Sequence, residues 1–197
     1  MPGEILSLAF SEGGGVRVTV KSAALPGRAR ASFRLTAEEY AELGSPPARA
    51  MLSDDGMAFL SACEERRAAC ERAVRILACG DNSAMGLYRK LRARGCPKSA
   101  AEAAVQEVIA RGYLREEEQA YRIAVREANG KCRGPRRILA ALSEKGYPAA
   151  LCRRVLARAE ACGDIDFAAL RARLLSEKLP ADAPPEKKWA LLRQSGF

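Results

Sequence analysis

Histidine is absent from the 197 residues, and with it the commonest general base of enzymes and a frequent metal ligand. The seven cysteines (Cys63, Cys70, Cys79, Cys96, Cys132, Cys152, Cys162) form no C-x-x-C pair. Their odd number and spacing argue against a disulfide framework or a zinc site. They read as small buried apolar residues, kept reduced as in the cytosol. Aromatics make up only 6% of the chain, and no run interleaves them with cations for stacking on single-stranded bases. No apolar stretch approaches the roughly 20 residues that span a bilayer. The N-terminal MPGEILSLAF lacks the basic region of a signal peptide. G-x-S-x-G, Walker A and Rossmann glycine patterns are also missing. These absences point to a soluble cytoplasmic protein that is not an enzyme and holds no cofactor or metal.

Positive charge is present in excess, and it is unevenly placed. Residues 1–62 carry 6 Lys/Arg against 7 Asp/Glu, whereas residues 63–197 carry 27 against 17. A basic C-terminal region favours a polyanion or an acidic protein surface as partner. A solvated, Arg-rich helix surface is the other reading of the same charge. From about residue 60 onward Ala, Leu, Arg and Glu dominate, all strong helix formers.

That helical region repeats a phrase three times: Tyr88-x-x-Leu91-x-x-x-Gly95, Leu139-x-x-Leu142-x-x-x-Gly146 and Trp189-x-x-Leu192-x-x-x-Gly196. The glycines stand 51 and 50 residues apart. Two large apolar residues one helical turn apart, followed by glycine, describe a short helix and its C-cap. A fixed period of this length indicates tandem supersecondary units. The fold class expected is mainly α, with tandem three-helix repeats in an elongated array after a small N-terminal β-hairpin-containing module.

The boundaries follow from local signals. In the β-rich module, residues 1–47, Ile5 to Phe10 lead through Gly13-Gly14-Gly15, a hairpin turn, to the alternation Val16, Val18, Val20. Pro26-Gly27 marks another turn, and Ala31–Leu35 a third strand. Thr36-x-x-Glu39 has capping-box spacing and opens a short helix. Residues 48–62 read as a linker or short helix after Ser45-Pro46-Pro47. Repeat 1 then covers 63–114, with N-cap candidates at Asp81-Asn82-Ser83 and a second capping box at Ser99-x-x-Glu102. Its middle helix turns Leu87, Tyr88 and Leu91 inward. Repeat 2 covers 115–163, its middle helix opened by Gly134-Pro135. Repeat 3, 164–197, is incomplete: the helix that should follow Gly196 is missing. The acids Glu116-Glu117-Glu118 sit at a helix start, where they suit the macrodipole better than they suggest a metal.

The candidate contact residues are the cations of the middle helices: Arg89, Lys90, Arg92 and Arg94; Lys131, Arg133, Arg136 and Arg137; Lys187 and Lys188. Arg136 and Arg137 oppose the dipole of the helix they open, so local stability does not account for them. An anionic partner would; the alternative is that long Arg stems cover apolar surface. Contacts to nucleic acid would be to phosphates, salt-sensitive and weakly sequence-specific.

At these residues the chain resembles the RecX family of bacterial recombination regulators. The likeness is carried by Ser83-x-x-x-Leu87-x-x-x-Leu91-x-x-x-Gly95, by Gly112-Tyr113-Leu114 with Ala120, and most strongly by Gly134-Pro135-Arg136-Arg137-Ile138-x-x-x-Leu142-x-x-Lys145-Gly146-Tyr147. Gly86 stands where the family usually has Glu, and Arg115-Glu116 replaces an acidic pair. The resemblance implies a regulator of recombination, DNA repair and the SOS response. Such a protein, read here as a monomer, binds RecA protein and the RecA–DNA filament and inhibits RecA activity without catalysis. Direct DNA phosphate contacts are compatible with it, and membrane contact is not expected. Neutralising Arg133, Arg136 and Arg137 is then expected to weaken inhibition and leave helix content intact. The alternative is a DNA-binding helical-array protein that acts without RecA.

Overall fold

Alternation of apolar and polar residues near the N-terminus produces a sheet with one buried face. In the computed structural model, which describes residues 2–22 and 30–197, strands β1 (Gly3–Phe10), β2 (Val16–Lys21), β3 (Arg30–Leu35) and β4 (Met51–Leu52) form an antiparallel sheet of order β3-β2-β1-β4. The glycine turn closes the first hairpin, with the Ser11 N–H donating to the Gly15 carbonyl at 2.9 Å. The Pro26-Gly27 turn lies outside the described residues. Val16, Val18, Val20, Phe33 and Leu35 point to one side, where Ile5 joins them. Helix α2 (Asp54–Ala78) covers that side with Met57, Leu60 and Cys63. Thr36 and Glu39 close the expected capping box at the start of α1 (Ala37–Glu42), with bonds of 2.9 and 3.1 Å.

The remaining elements are α3 (Ala84–Ala93), α4 (Lys98–Ala110), α5 (Glu116–Lys131), α6 (Pro135–Glu144), α7 (Ala149–Ala161), α8 (Phe167–Lys178) and α9 (Pro185–Ser195). The chain is thus mainly helical with a small N-terminal antiparallel sheet. Residues 54–62, read as linker or short helix, are the first turns of α2. Ser99 does not cap α4: that helix already begins at Lys98, after Pro97, which places Ser99 inside its first turn. Tyr88 is half-buried and Trp189 exposed, because the first position of each phrase lies at the rim of its helix's buried stripe.

Two units divide the chain, one made of Met1–Arg72 and Leu91–Ala104, the other of Ala73–Lys90 and Val105–Phe197. The first holds the sheet core. In it, the buried Cys96 is fixed by Arg72, whose Nη1 lies 3.4 Å from its Sγ, and by Arg92, which donates to its carbonyl at 2.6 Å. The second unit has its own core. Ile123, Ala124 and Ala128 of α5 meet Ile138 and Leu142 of α6, Leu151, Val155 and Leu156 of α7, and Phe167, Leu170 and Leu174 of α8. Four of the seven cysteines are buried, and none of the seven forms a disulfide. Burial raises the pKa of Cys63 and Cys152, which keeps both as inert thiols.

The repeated phrase, whose last two copies lie in the second unit, has a physical purpose. All three of its glycines have positive φ, from +79° to +91°, as C-caps require. Two of these capped ends meet the N-terminus of a preceding middle helix. At the first junction the Ser83 hydroxyl donates to the Lys145 carbonyl at 2.5 Å and accepts from the Gly86 N–H at 2.9 Å. The Ala84 N–H is satisfied by Glu116 Oε1 at 2.8 Å, so this acid caps a neighbouring helix as well as opening its own. At the second junction the Gly134 N–H donates to the Ser195 carbonyl at 2.8 Å. Ser83 and Gly134 are 51 residues apart, and Lys145 and Ser195 are 50 apart, the period of the phrase itself. The negative end of one middle helix therefore faces the positive end of the one before it.

Ser83 is only 1% exposed, so truncating it leaves one donor and one acceptor without water to replace it. Ser83→Ala is expected to lower stability by about 1–2 kcal/mol in urea unfolding.

Candidate functional site

The ten candidate cations fall into three groups, which differ in how far their neighbours account for them. On α3, Arg89, Lys90 and Arg92, together with Arg94 just past its end, are all exposed, as a charged face opposite Leu87 and Leu91 should be. Lys90 donates to the Asn82 side chain and Arg92 to the Cys96 carbonyl. The side chains of Arg89 and Arg94 make no ion pair or hydrogen bond among the described residues.

The second group, around the start of α6, is engaged within the protein. Lys131 Nζ and Arg133 Nη1 reach the two oxygens of Glu127 at 2.9 and 2.6 Å. Glu127 lies on the buried side of α5 and is 5% exposed. Burial pushes its carboxyl up, but the hydrogen bond from Lys131 and the charges of Arg133, Lys131 and Arg126 outweigh it and hold the pKa below its ordinary value. Arg137 Nε donates to the Gln194 carbonyl at 3.0 Å, and the Arg136 guanidinium donates to the Phe197 carbonyl. Local sequence shows these arginines only at the N-terminus of α6. In the fold they also lie at the C-terminus of α9, where cations satisfy open carbonyls and favour the dipole. Neutralising Arg133, Arg136 and Arg137 together would thus disturb a buried carboxylate and the seating of α9, and would not isolate a partner contact.

The third group opens α9. Lys188 donates to the Ala181 carbonyl at 3.1 Å, while Lys187 is exposed and makes no such bond among the described residues. The acids once set against a metal are also accounted for. Glu117 takes Arg154 at 2.8 Å and Arg158 at 3.4 Å, which lowers its pKa, and Glu118 pairs with Arg115.

One feature escaped sequence reasoning. Trp189, three residues before Leu192 in the phrase, is 68% exposed and lies with Arg136, Arg171, Arg193, Leu192 and Phe197 around one cavity of about 400 Å³. Those residues come from α6, α8, α9 and the residue after its C-cap, so no contiguous run announces them. Neither the described cations nor the cavity places a nucleophile beside a base. The arrangement offers charge and an aromatic face for recognition.

No protein-family model matches the sequence, and no curated protein matches it. Solved structures do. A crystal structure of regulatory protein RecX superposes with a TM-score of 0.68 at 15% identity, over 99% of this chain and 94% of that one. A crystal structure of RecX from Lactobacillus salivarius gives a TM-score of 0.56 at 16% identity, over 68% of this chain and 89% of that one. No helix among the described residues is long and apolar enough to cross a membrane. The protein thus has a RecX-like fold, built from a small sheet and successive helices whose phrase-bearing members meet end to end.

Proposed function

We propose that this protein is a RecX-family regulator of homologous recombination and DNA repair that binds RecA and RecA–DNA filaments and inhibits RecA activity without catalysis. The observation that carries the reading is the fold likeness to a RecX structure over 99% of the chain. The family motifs in their order, and the basic excess of residues 63–197, support it from the sequence. Repeats at 63–114, 115–163 and 164–197 are the units of the binding surface, which works in the cytoplasm as a monomer. A filament presents anionic groups at a regular spacing, and cations carried at a regular period suit such a partner.

The contact face includes the exposed cations without internal duties, Arg89, Arg94 and Lys187, with the remaining candidates contributing where their heads still reach solvent. Arg89→Glu/Arg94→Glu should reduce co-sedimentation with RecA filaments at least tenfold, since each reversal replaces an attraction by a repulsion. Its urea midpoint should stay within about 0.5 kcal/mol of the parent, as expected for exposed sites. Unchanged co-sedimentation would remove α3 from the contact face.

The second reading, a DNA-binding array that acts without RecA, rests on the same basic excess. Co-sedimentation with bare single-stranded DNA as strong as with RecA filaments at the same salt would favour it.

A further inference from the structure

The cavity around Trp189 combines two features that a molecule working alone gains nothing from. Three guanidinium groups, of Arg136, Arg171 and Arg193, line it with no Asp or Glu side chain among the lining residues, and among the described residues only Arg136 is engaged by a main-chain oxygen, that of Phe197. Like charges gathered at one cavity repel. Beside them the only tryptophan of the chain leaves its indole largely in water. The site is braced from behind. The Phe197 ring stands edge-on to the buried Phe167 at 6.2 Å and carries the Arg171 guanidinium 5.3 Å above its face. Arg136 is tied to the Phe197 carbonyl. Arg136 and Arg171 are therefore held in place before any ligand arrives, which lowers the ordering cost of binding.

A ligand that relieves both features must bring negative charge and a flat apolar face together. A single nucleic-acid strand alternates the two at every residue. A duplex keeps its bases stacked inside, and an acidic peptide supplies the charge alone. A cavity of about 400 Å³ lies within the usual range for small-ligand sites. We propose that this cavity binds single-stranded nucleic acid, one base stacking on Trp189 while Arg136, Arg171 and Arg193 take the adjacent phosphates. The proposal rests on the reading above, in which the protein works beside DNA, and it names a site for direct contact with the strand.

The lone tryptophan makes the test direct, because all indole fluorescence reports on this site. Titrating the full chain with short oligothymidylate should quench that fluorescence saturably. An abasic strand of equal length, or a peptide of Asp and Glu, should quench little. By anisotropy of a labelled strand, Trp189→Ala should weaken binding roughly tenfold and Trp189→Phe should recover part of it. Arg171→Gln should flatten the salt dependence by about 0.7 in logarithmic slope. Equal quenching by the abasic strand or the acidic peptide, or undiminished affinity in Trp189→Ala, overturns the proposal. RecA-dependent ATP hydrolysis read in parallel separates the two claims. Inhibition without quenching removes this cavity alone, and quenching without inhibition removes the RecA reading alone.

Discussion

Replacing Gly134 by alanine should cost the protein about 2–3 kcal/mol of stability and loosen the C-terminal end of α9. Gly134 has φ −77° and ψ 170°, a conformation alanine adopts freely. On backbone grounds alone the change would stabilise, by roughly 0.4–1 kcal/mol, through the unfolded state. Contact geometry decides the sign. A Cβ at this position would lie 2.4 Å from the Gly196 carbonyl carbon and 2.5 Å from the Phe197 nitrogen. Both are backbone atoms, so no side chain can swing away, and the two helix ends must separate. The bond from the Gly134 N–H to Ser195 is then strained or lost. Gly130→Ala is the matched control, since nothing lies within 4 Å of a Cβ there. That variant should be neutral or more stable by up to about 1 kcal/mol. Urea unfolding gives the two energies, and hydrogen exchange over residues 185–197 shows whether α9 has loosened. A neutral Gly134→Ala would mean that the second junction is not closed as described.

The double variant Lys131→Met/Arg133→Met should lose about 3 kcal/mol at neutral pH, because it leaves the Glu127 carboxylate buried without its two hydrogen-bonded cations. Removing the partners of a buried charge costs more than the pair itself contributes, since the desolvation remains. The pH dependence identifies the cause. In the parent protein Glu127 has a depressed pKa, so its contribution is fully present above the unfolded value of about 4.5 and is lost as pH falls through the lower folded value. In the variant, burial without the cations raises the folded pKa, and protonation relieves the penalty as pH falls. The stability gap between the two proteins should therefore narrow from neutral pH toward pH 4. A gap that stays constant across that range would assign the loss to packing and not to charge.

These two sites show where sequence reading succeeds and where it stops. Gly95, Gly146 and Gly196 were legible as C-caps because the signal is local: two apolar residues a turn apart, then glycine. Thr36 and Glu39 were legible for the same reason. Ser99 and Glu102 have the same spacing, yet Pro97 and Lys98 start the helix earlier and move Ser99 off the cap. Arg136 and Arg137 looked unaccounted for because the carbonyls they satisfy belong to residues 57 and 61 positions further along. The charge on α3 was legible from the apolar stripe opposite it. Trp189 was legible only as the first apolar residue of the third phrase, and only the fold sets it among three arginines from three helices. The mainly helical class and the sheet were available from periodicity, whereas the junctions depend on contacts that no period alone reveals. The phrase nonetheless carried the information, since the junctions recur at its own interval.

The most direct test of the proposed function is RecA-dependent ATP hydrolysis on single-stranded DNA, with and without this protein at stoichiometric amounts. The account predicts that hydrolysis falls, and that the Arg89→Glu/Arg94→Glu variant restores much of it at the same concentration. Hydrolysis unchanged by the parent protein, under conditions where it is folded and RecA filaments are formed, would contradict the account.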